Sequence, residues 1–235
     1  LGEKYFLNRT FVNTDKIKKK IIQYGILKKK YDKKKMFIKF NKKFKQIRGK
    51  EFYLFLGRYD EKKGCDILIK SVSKLKSKFN DLVLMCGPLQ NSLYEEKLKN
   101  LIIKYRLEKK IIFSGPVYGE LKYAAISRSK AMLLPSHGEN FGVSLVESLS
   151  YGKPVITTNK VCIAKDILKF NAGFVSSNTV NGFCKAFNKY ISLSKSLKKK
   201  MSNDSMKCFN SNFNLKSKKN SLSSLIKKEF NAQNK

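Results

Sequence analysis

PSHGENFGVSLVESLSYGKPVITT, residues 135–158, decides how the chain folds. A short apolar run at residues 131–134 precedes it and reads as a strand. A second strand is expected at residues 154–158, with a helix between Phe141 and Tyr151. A helix opening just past a strand's carboxyl end presents free N–H groups, which suit anionic or hydroxyl-rich ligands. Two carboxylates stand here, Glu139 in the loop and Glu147 on the helix, with seven residues between them. Acidic side chains are scarce, 17 against 51 lysines and arginines, so two in one short stretch carry information.

The same alternation extends outward from this stretch. FYLFLG at residues 52–57 is a near-continuous apolar run, as expected of a strand covered on both faces. Residues 65–79 place Ile67, Leu68, Val72, Leu75 and Phe79 at helical spacing, with Lys70, Lys74 and Lys78 opposite. Strands follow at residues 81–87 and 110–115, and helices at 93–105 and 120–127. Beyond the central stretch come a short strand at 172–175 and a helix at 182–193. Strands alternating with helices through short connections imply parallel pairing by right-handed crossovers. The expected class is therefore α/β, a doubly wound parallel sheet of Rossmann-like kind. Ligands of such sheets sit beyond the carboxyl ends of the strands. Gly57, Gly87, Gly115 and Pro135 fall there.

The flanks are less patterned. Residues 16–26, KIKKKIIQYGI, read as a strand and turn, and the lysine-rich segment after them as a linker. From residue 193 onward the chain is rich in Lys, Ser and Asn, with Met201, Phe209, Phe213, Leu222 and Leu225 as sparse apolar anchors. Helices packed on the outside and frayed at the end are expected there. The division read from this is 1–26, 27–192 and 193–235.

Composition narrows the function. The formal net charge of +34 comes almost wholly from lysine, the arginines being only Arg9, Arg48, Arg58, Arg106 and Arg128. A nucleic-acid reader usually gathers its basic residues on one face and uses arginine for base edges. Here lysine is spread through every segment, so no specific nucleic-acid partner is expected. The charge still favours contact with an anionic membrane surface. No apolar run approaches the roughly 18–20 residues of a bilayer-crossing helix. The chain begins at Leu1 without a charged-then-apolar leader, which reads as a fragment of a longer cytoplasmic protein working at the inner face of the membrane. The five cysteines are irregularly spaced, no CxxC occurs, and His137 is the only histidine. Free thiols are expected, and no metal site.

The loop GRYDEKKG, residues 57–64, supplies the other candidate chemistry. Gly57 permits close approach, while Arg58 and Lys63 can converge on one oxygen-rich anion such as a diphosphate. A carboxylate accepts two hydroxyls at once, so Glu139 and Glu147 suit the vicinal diols of a ribose or hexose. Glu147 lies among Val143, Leu145, Val146 and Leu149, so it is expected to be partly buried and to need donors.

With these blocks in order, FLGRYDEKKGCDILIKS (55–71), IIFSGPV (111–117), LLPSHGENFGVSLVESLSYGKPVI (133–156) and NAGFV (171–175), the sequence resembles the retaining glycosyltransferases of GT-B fold. This is the large family that includes sucrose, trehalose and lipopolysaccharide synthases. IIQYGI, residues 21–26, resembles that family's interdomain turn without its usual proline.

The resemblance implies the C-terminal, donor-binding half of such an enzyme, whose substrate is a nucleotide sugar and which needs neither cofactor nor metal. Arg58 and Lys63 would bind the diphosphate and stabilise the leaving nucleotide. Glu147 would hold the ribose hydroxyls. Glu139, with the backbone N–H groups of Asn140, Phe141 and Gly142, would grip the transferred sugar. Val117 would rest against the base, and Val143 and Ser144 would add backbone contacts to the phosphates. His137 is expected to be incidental. The acceptor, a glycan or lipid-linked sugar of surface polysaccharide or lipopolysaccharide, would bind a half that this chain lacks. Two other readings stay open: a nucleotide-sugar-binding module without turnover, and a basic nucleic-acid-associated protein.

Overall fold

The computed structural model describes residues 24–216 together with Ile226. Six strands form one sheet: β1 (Phe52–Leu56), β2 (Leu82–Cys86), β3 (Ile111–Phe113), β4 (Met132–Leu134), β5 (Val155–Thr158) and β6 (Gly173–Ser176). Their order is β3-β2-β1-β4-β5-β6, and every pairing is parallel. The chain thus winds outward from β1 to one edge, returns to β4 beside β1, and winds outward to the other. The crevice between β1 and β4 is the point where the order reverses, the usual ligand position of this architecture.

Eight α-helices accompany the sheet among the described residues: α1 (Lys33–Lys43), α2 (Cys65–Leu75), α3 (Ser92–Lys104), α4 (Gly119–Arg128), α5 (Val143–Ser150), α6 (Ala164–Lys169), α7 (Val180–Ile191) and α8 (Lys195–Cys208). In one group α2 packs on α3 and α7; in the other α1 packs on α4, α4 on α5, and α5 on α8. Both faces of the sheet are covered, which is why all five residues of β1 are buried and its sequence is uniformly apolar.

The expected strands and helices of residues 52–193 are present, with two differences in extent. The helix begun at Cys65 ends at Leu75, and Phe79 reaches the core from the turn that follows. The six-residue α6 falls in a stretch where no helix was expected.

The larger correction concerns the lysine-rich segment read as a linker. It is the helix α1, capped by the Asp32 side chain, with Met36 and Phe40 buried and Phe44 and Ile47 continuing into the core. Phe40 stacks on Phe52 of β1 at 5.7 Å. Apolar residues four apart define one buried stripe, and the lysines between them stay solvated.

Residues 1–23 of the expected first segment, including most of the strand at 16–26 and of the interdomain turn, lie outside the described residues, as do Leu222 and Leu225. The part of that turn within them is tied to the domain's far end: Ile26 donates its N–H to the Phe213 carbonyl at 2.8 Å and accepts from the Leu215 N–H at 3.2 Å. α8 and the turn at Phe209–Phe213 pack on the outside, burying Phe209 and Phe213. All five cysteines are free. No described helix is long and apolar enough to cross a membrane.

Candidate functional site

A cavity of about 550 Å³ opens at the carboxyl rim of the sheet. Gly57, Arg58, Lys63, Val117, Glu139, Asn140, Phe141, Gly142, Val143, Ser144 and Glu147 all line it, so the structure brings every sequence-derived candidate to one place.

The GRYDEKKG loop reaches this rim through specific local constraints. Asp60 accepts from the Lys62 N–H at 2.8 Å and caps a single 3-10 turn at Glu61–Lys63. Gly64 then takes φ +68°, and a Cβ there would lie 2.1 Å from the Pro135 carbonyl oxygen. Only glycine lets the loop press so closely on the one after β4. The contact is sealed by the Lys62 carbonyl, which accepts from the His137 N–H at 2.7 Å and from Ser136 Oγ at 2.8 Å.

That closure sets Lys63 against Glu139. The ammonium donates to Glu139 Oε1, and Ser136 Oγ lies 3.2 Å from the same oxygen. The pair is largely enclosed, its side chains 16% and 13% exposed. Glu139 is fixed from behind as well, since its N–H donates to Lys160 O at 3.2 Å and its carbonyl accepts from the Cys162 N–H at 3.0 Å. Lys63 is therefore not a free cation awaiting an anion. Arg58 is engaged too, donating from Nη1 to Gln90 Oε1 at 2.9 Å.

Gly142, at φ +73°, turns the chain into α5, and its carbonyl accepts from the Leu145 and Val146 N–H groups. The first N–H groups of the helix have no intrahelical acceptor, and Gly142, Val143 and Ser144 line the cavity. One turn further on, Glu147 is 7% exposed rather than a surface glutamate. Its Oε1 accepts from Lys122 Nζ at 2.6 Å and from the Tyr123 hydroxyl at 2.9 Å. Burial, then the Glu147 charge, drive the Tyr123 phenol far above its usual pKa, so it stays a donor. Each acid thus commits one oxygen to a lysine, and among the described residues the other oxygen has no hydrogen-bond partner.

Lys122, Tyr123, Lys62 and Gln90 are the neighbours of the candidate residues that sequence reasoning did not single out. Lys122 was one lysine among dozens, and Tyr123 sits on the buried side of α4 like a core residue. His137 does not line the cavity; it lies in a separate groove with Glu61 and Lys97 and meets Asn178 at 3.2 Å. Among the described residues the cavity's ionic groups are Arg58, Lys62, Lys63 and Lys122 against Glu139 and Glu147, a surplus of two positive charges. Among the described residues no three His, Cys, Asp or Glu side chains stand close enough to hold a metal ion.

Comparison with known proteins places this arrangement. Residues 37–212 match the family described as glycosyl transferases group 1. The chain is 33% identical over 118 residues to 2-deoxystreptamine N-acetyl-D-glucosaminyltransferase of Niallia circulans, covering 48% of this chain and 29% of that protein. A glycosyltransferase from Rickettsia africae ESF-5 superimposes with TM-score 0.77 at 21% identity, over 97% of this chain and 60% of that one. The C-terminal domain of the glycosyl transferase group 1 family protein LpcC from Francisella tularensis matches with TM-score 0.65 at 18% identity, over 75% of this chain and 93% of that domain. The chain spans half or less of the length of the curated relatives it matches. With this fold and a matched region that takes in the whole sheet, the chain belongs to the glycosyl transferases group 1 family.

Proposed function

We propose that the chain is the donor-binding half of an enzyme that transfers a sugar from a nucleotide sugar to a glycan or lipid-linked acceptor with retention of configuration. The observation that carries this reading is the charge pattern of one cavity at the β1/β4 crevice. Its surplus of two positive charges beside a helix N-terminus matches a diphosphate. Its two acids, each with one oxygen that no described residue occupies, match vicinal hydroxyls.

In this reading Arg58 and Lys63 hold the diphosphate, Gly57 gives it close approach, and Val143 and Ser144 add backbone N–H groups. Lys63 would share its ammonium between the phosphate and Glu139. Glu147 takes the ribose hydroxyls. Glu139 takes the transferred sugar with the N–H groups of Asn140, Phe141 and Gly142, and the base rests beside Val117. The bond from the sugar's anomeric carbon to the phosphate oxygen breaks on the face where the bond to the acceptor oxygen forms. The acceptor's proton passes to the departing phosphate oxygen, so the two carboxylates position rather than shuttle protons. Negative charge growing on the diphosphate is met by fixed cations and the helix terminus.

We place the acceptor in surface polysaccharide or lipopolysaccharide synthesis at the cytoplasmic membrane face, where exposed lysines would favour anionic lipid. The test is a thermal-shift panel of UDP- and GDP-sugars, in which a donor raises the melting temperature. Glu147→Ala should cost that donor about 1.5–3 kcal/mol of binding. Indifference to every nucleotide, with steeply salt-dependent duplex binding untouched by Glu147→Ala, would sink the reading. Transfer upon addition of the acceptor half separates an enzyme from a binding module.

A further inference from the structure

Residues 24–31 touch the wall of the cavity at Phe141 and pack on Tyr123 and Tyr151 beside it. Tyr24 sets its ring edge-on to Phe141, centroids 4.9 Å apart. Tyr31 stacks on Tyr123 at 5.1 Å, and Tyr123 stacks in turn on Tyr151 at 5.6 Å. Tyr151 donates its hydroxyl to the Lys29 carbonyl at 2.7 Å, and the Lys28 ammonium lies 5.1 Å from the Tyr151 ring centre. Three tyrosines therefore form a ladder whose outer rungs are held by this segment and by the end of α5.

The middle rung is the ring whose hydroxyl donates to Glu147 Oε1. Glu147 has a second donor in Lys122, but an ammonium on a four-carbon stem is a rotatable point charge. That ammonium itself rests over the Tyr123 ring, 4.6 Å from its centre. A rigid ring stacked against two other rings fixes its hydroxyl far more narrowly than a flexible stem fixes a charge. Both donors to the carboxylate thus depend on where one ring sits.

We propose that Tyr123 is a positioning residue for Glu147 and that Tyr31 acts through it, so that the seating of residues 24–31 sets the aim of a ligand-holding carboxylate. The inference rests on the donor reading above and deepens it. Residues preceding the sheet become part of the site's machinery without touching the ligand.

The test uses the whole chain, with UDP and GDP as calorimetric probes. Tyr123→Phe keeps the stack and removes the hydroxyl; Tyr31→Ala keeps the hydroxyl and removes a rung; Tyr31→Phe restores the rung. The first two should weaken binding about fivefold, and Tyr31→Phe should bind as the unaltered chain does. In a Glu147→Ala background both losses should vanish, because coupling through one carboxylate is non-additive. Losses that simply add, or unchanged affinity in a folded Tyr31→Ala chain, would overturn the proposal. If neither nucleotide binds the unaltered chain, the donor reading fails, and the carbon-13 resonance of the Glu147 carboxyl decides the positioning role. It should move in Tyr123→Phe and Tyr31→Ala and stay in place in Tyr31→Phe; a resonance unmoved by Tyr31→Ala overturns it.

Discussion

A Cβ on Gly87 would lie 1.7 Å from the carbonyl oxygen of Gly57, where a backbone atom has no freedom to step aside. The approach is that close because the ladder runs on past the strands: the Gly57 N–H donates to Cys86 O, and the Gly87 N–H to Gly115 O, both at 3.0 Å. Gly57 and Gly87 both line the cavity. Gly87→Ala should cost about 1–3 kcal/mol by overpacking, a fall in melting temperature of roughly 2–10 °C by calorimetry. Gly138→Ala is the control, since its Cβ would meet only Lys62 Cε at an ordinary 3.5 Å.

Lys63→Met removes a cation and leaves the enclosed Glu139 without its lysine partner. Affinity for a nucleoside diphosphate should fall roughly tenfold or more, a charged hydrogen bond contributing about 1.5–3 kcal/mol. The salt dependence of binding should flatten with it. Calorimetric titration at two ionic strengths reads both effects; a steeper salt dependence would exclude Lys63 from the diphosphate.

Lys122→Met leaves Glu147, among the described residues, held by the Tyr123 hydroxyl alone. The pair is partly enclosed, its side chains 24% and 10% exposed, so the loss should stay below that of a fully buried pair. About 1–3 kcal/mol is expected in urea unfolding, with an unchanged m-value. Lys122→Arg should recover part of it.

Alkaline pH should unfold the chain even as its net charge falls toward zero near its pI of about 10.0. Burial pushes the thiols of Cys65, Cys86 and Cys208 up to about 12 from 9.0. Burial, then its neighbours Tyr31 and Glu147, raise the Tyr151 phenol to about 12 from 10.0. For an acid raised in the folded state, the contribution is complete below the unfolded value and is lost as pH climbs through the folded one. The window is therefore about pH 9–12. Circular dichroism should lose its helical signal across that window; a helical signal unchanged up to about pH 12 would contradict burial as the cause.

Legibility in the sequence followed the physics of burial. β1 and β2 were readable because both faces are covered and every position is apolar. α1 was hidden because lysines outnumber the few apolar residues, Met36, Phe40 and Phe44, that mark its buried stripe. Strand order was not readable, since the neighbouring of β1 and β4 depends on crossovers rather than on any residue. At the site, Glu139 and Glu147 stood out through their spacing and the family resemblance. Their partners did not: Lys63 reaches Glu139 only because Gly64 lets two loops touch, and Lys122 and Tyr123 reach Glu147 only because α4 lies against α5.

The short ladder at Ile26 has a practical corollary. Because residue 26 pairs with residues 213–215, the first and last stretches of the described domain stand side by side and frame one doorway. A permuted chain that joins residue 24 to residue 216 by a few glycines, and opens instead at the exposed turn after α2, should keep the strand order and the rim. Whatever is fused on either side of that doorway would swing about the same pivot.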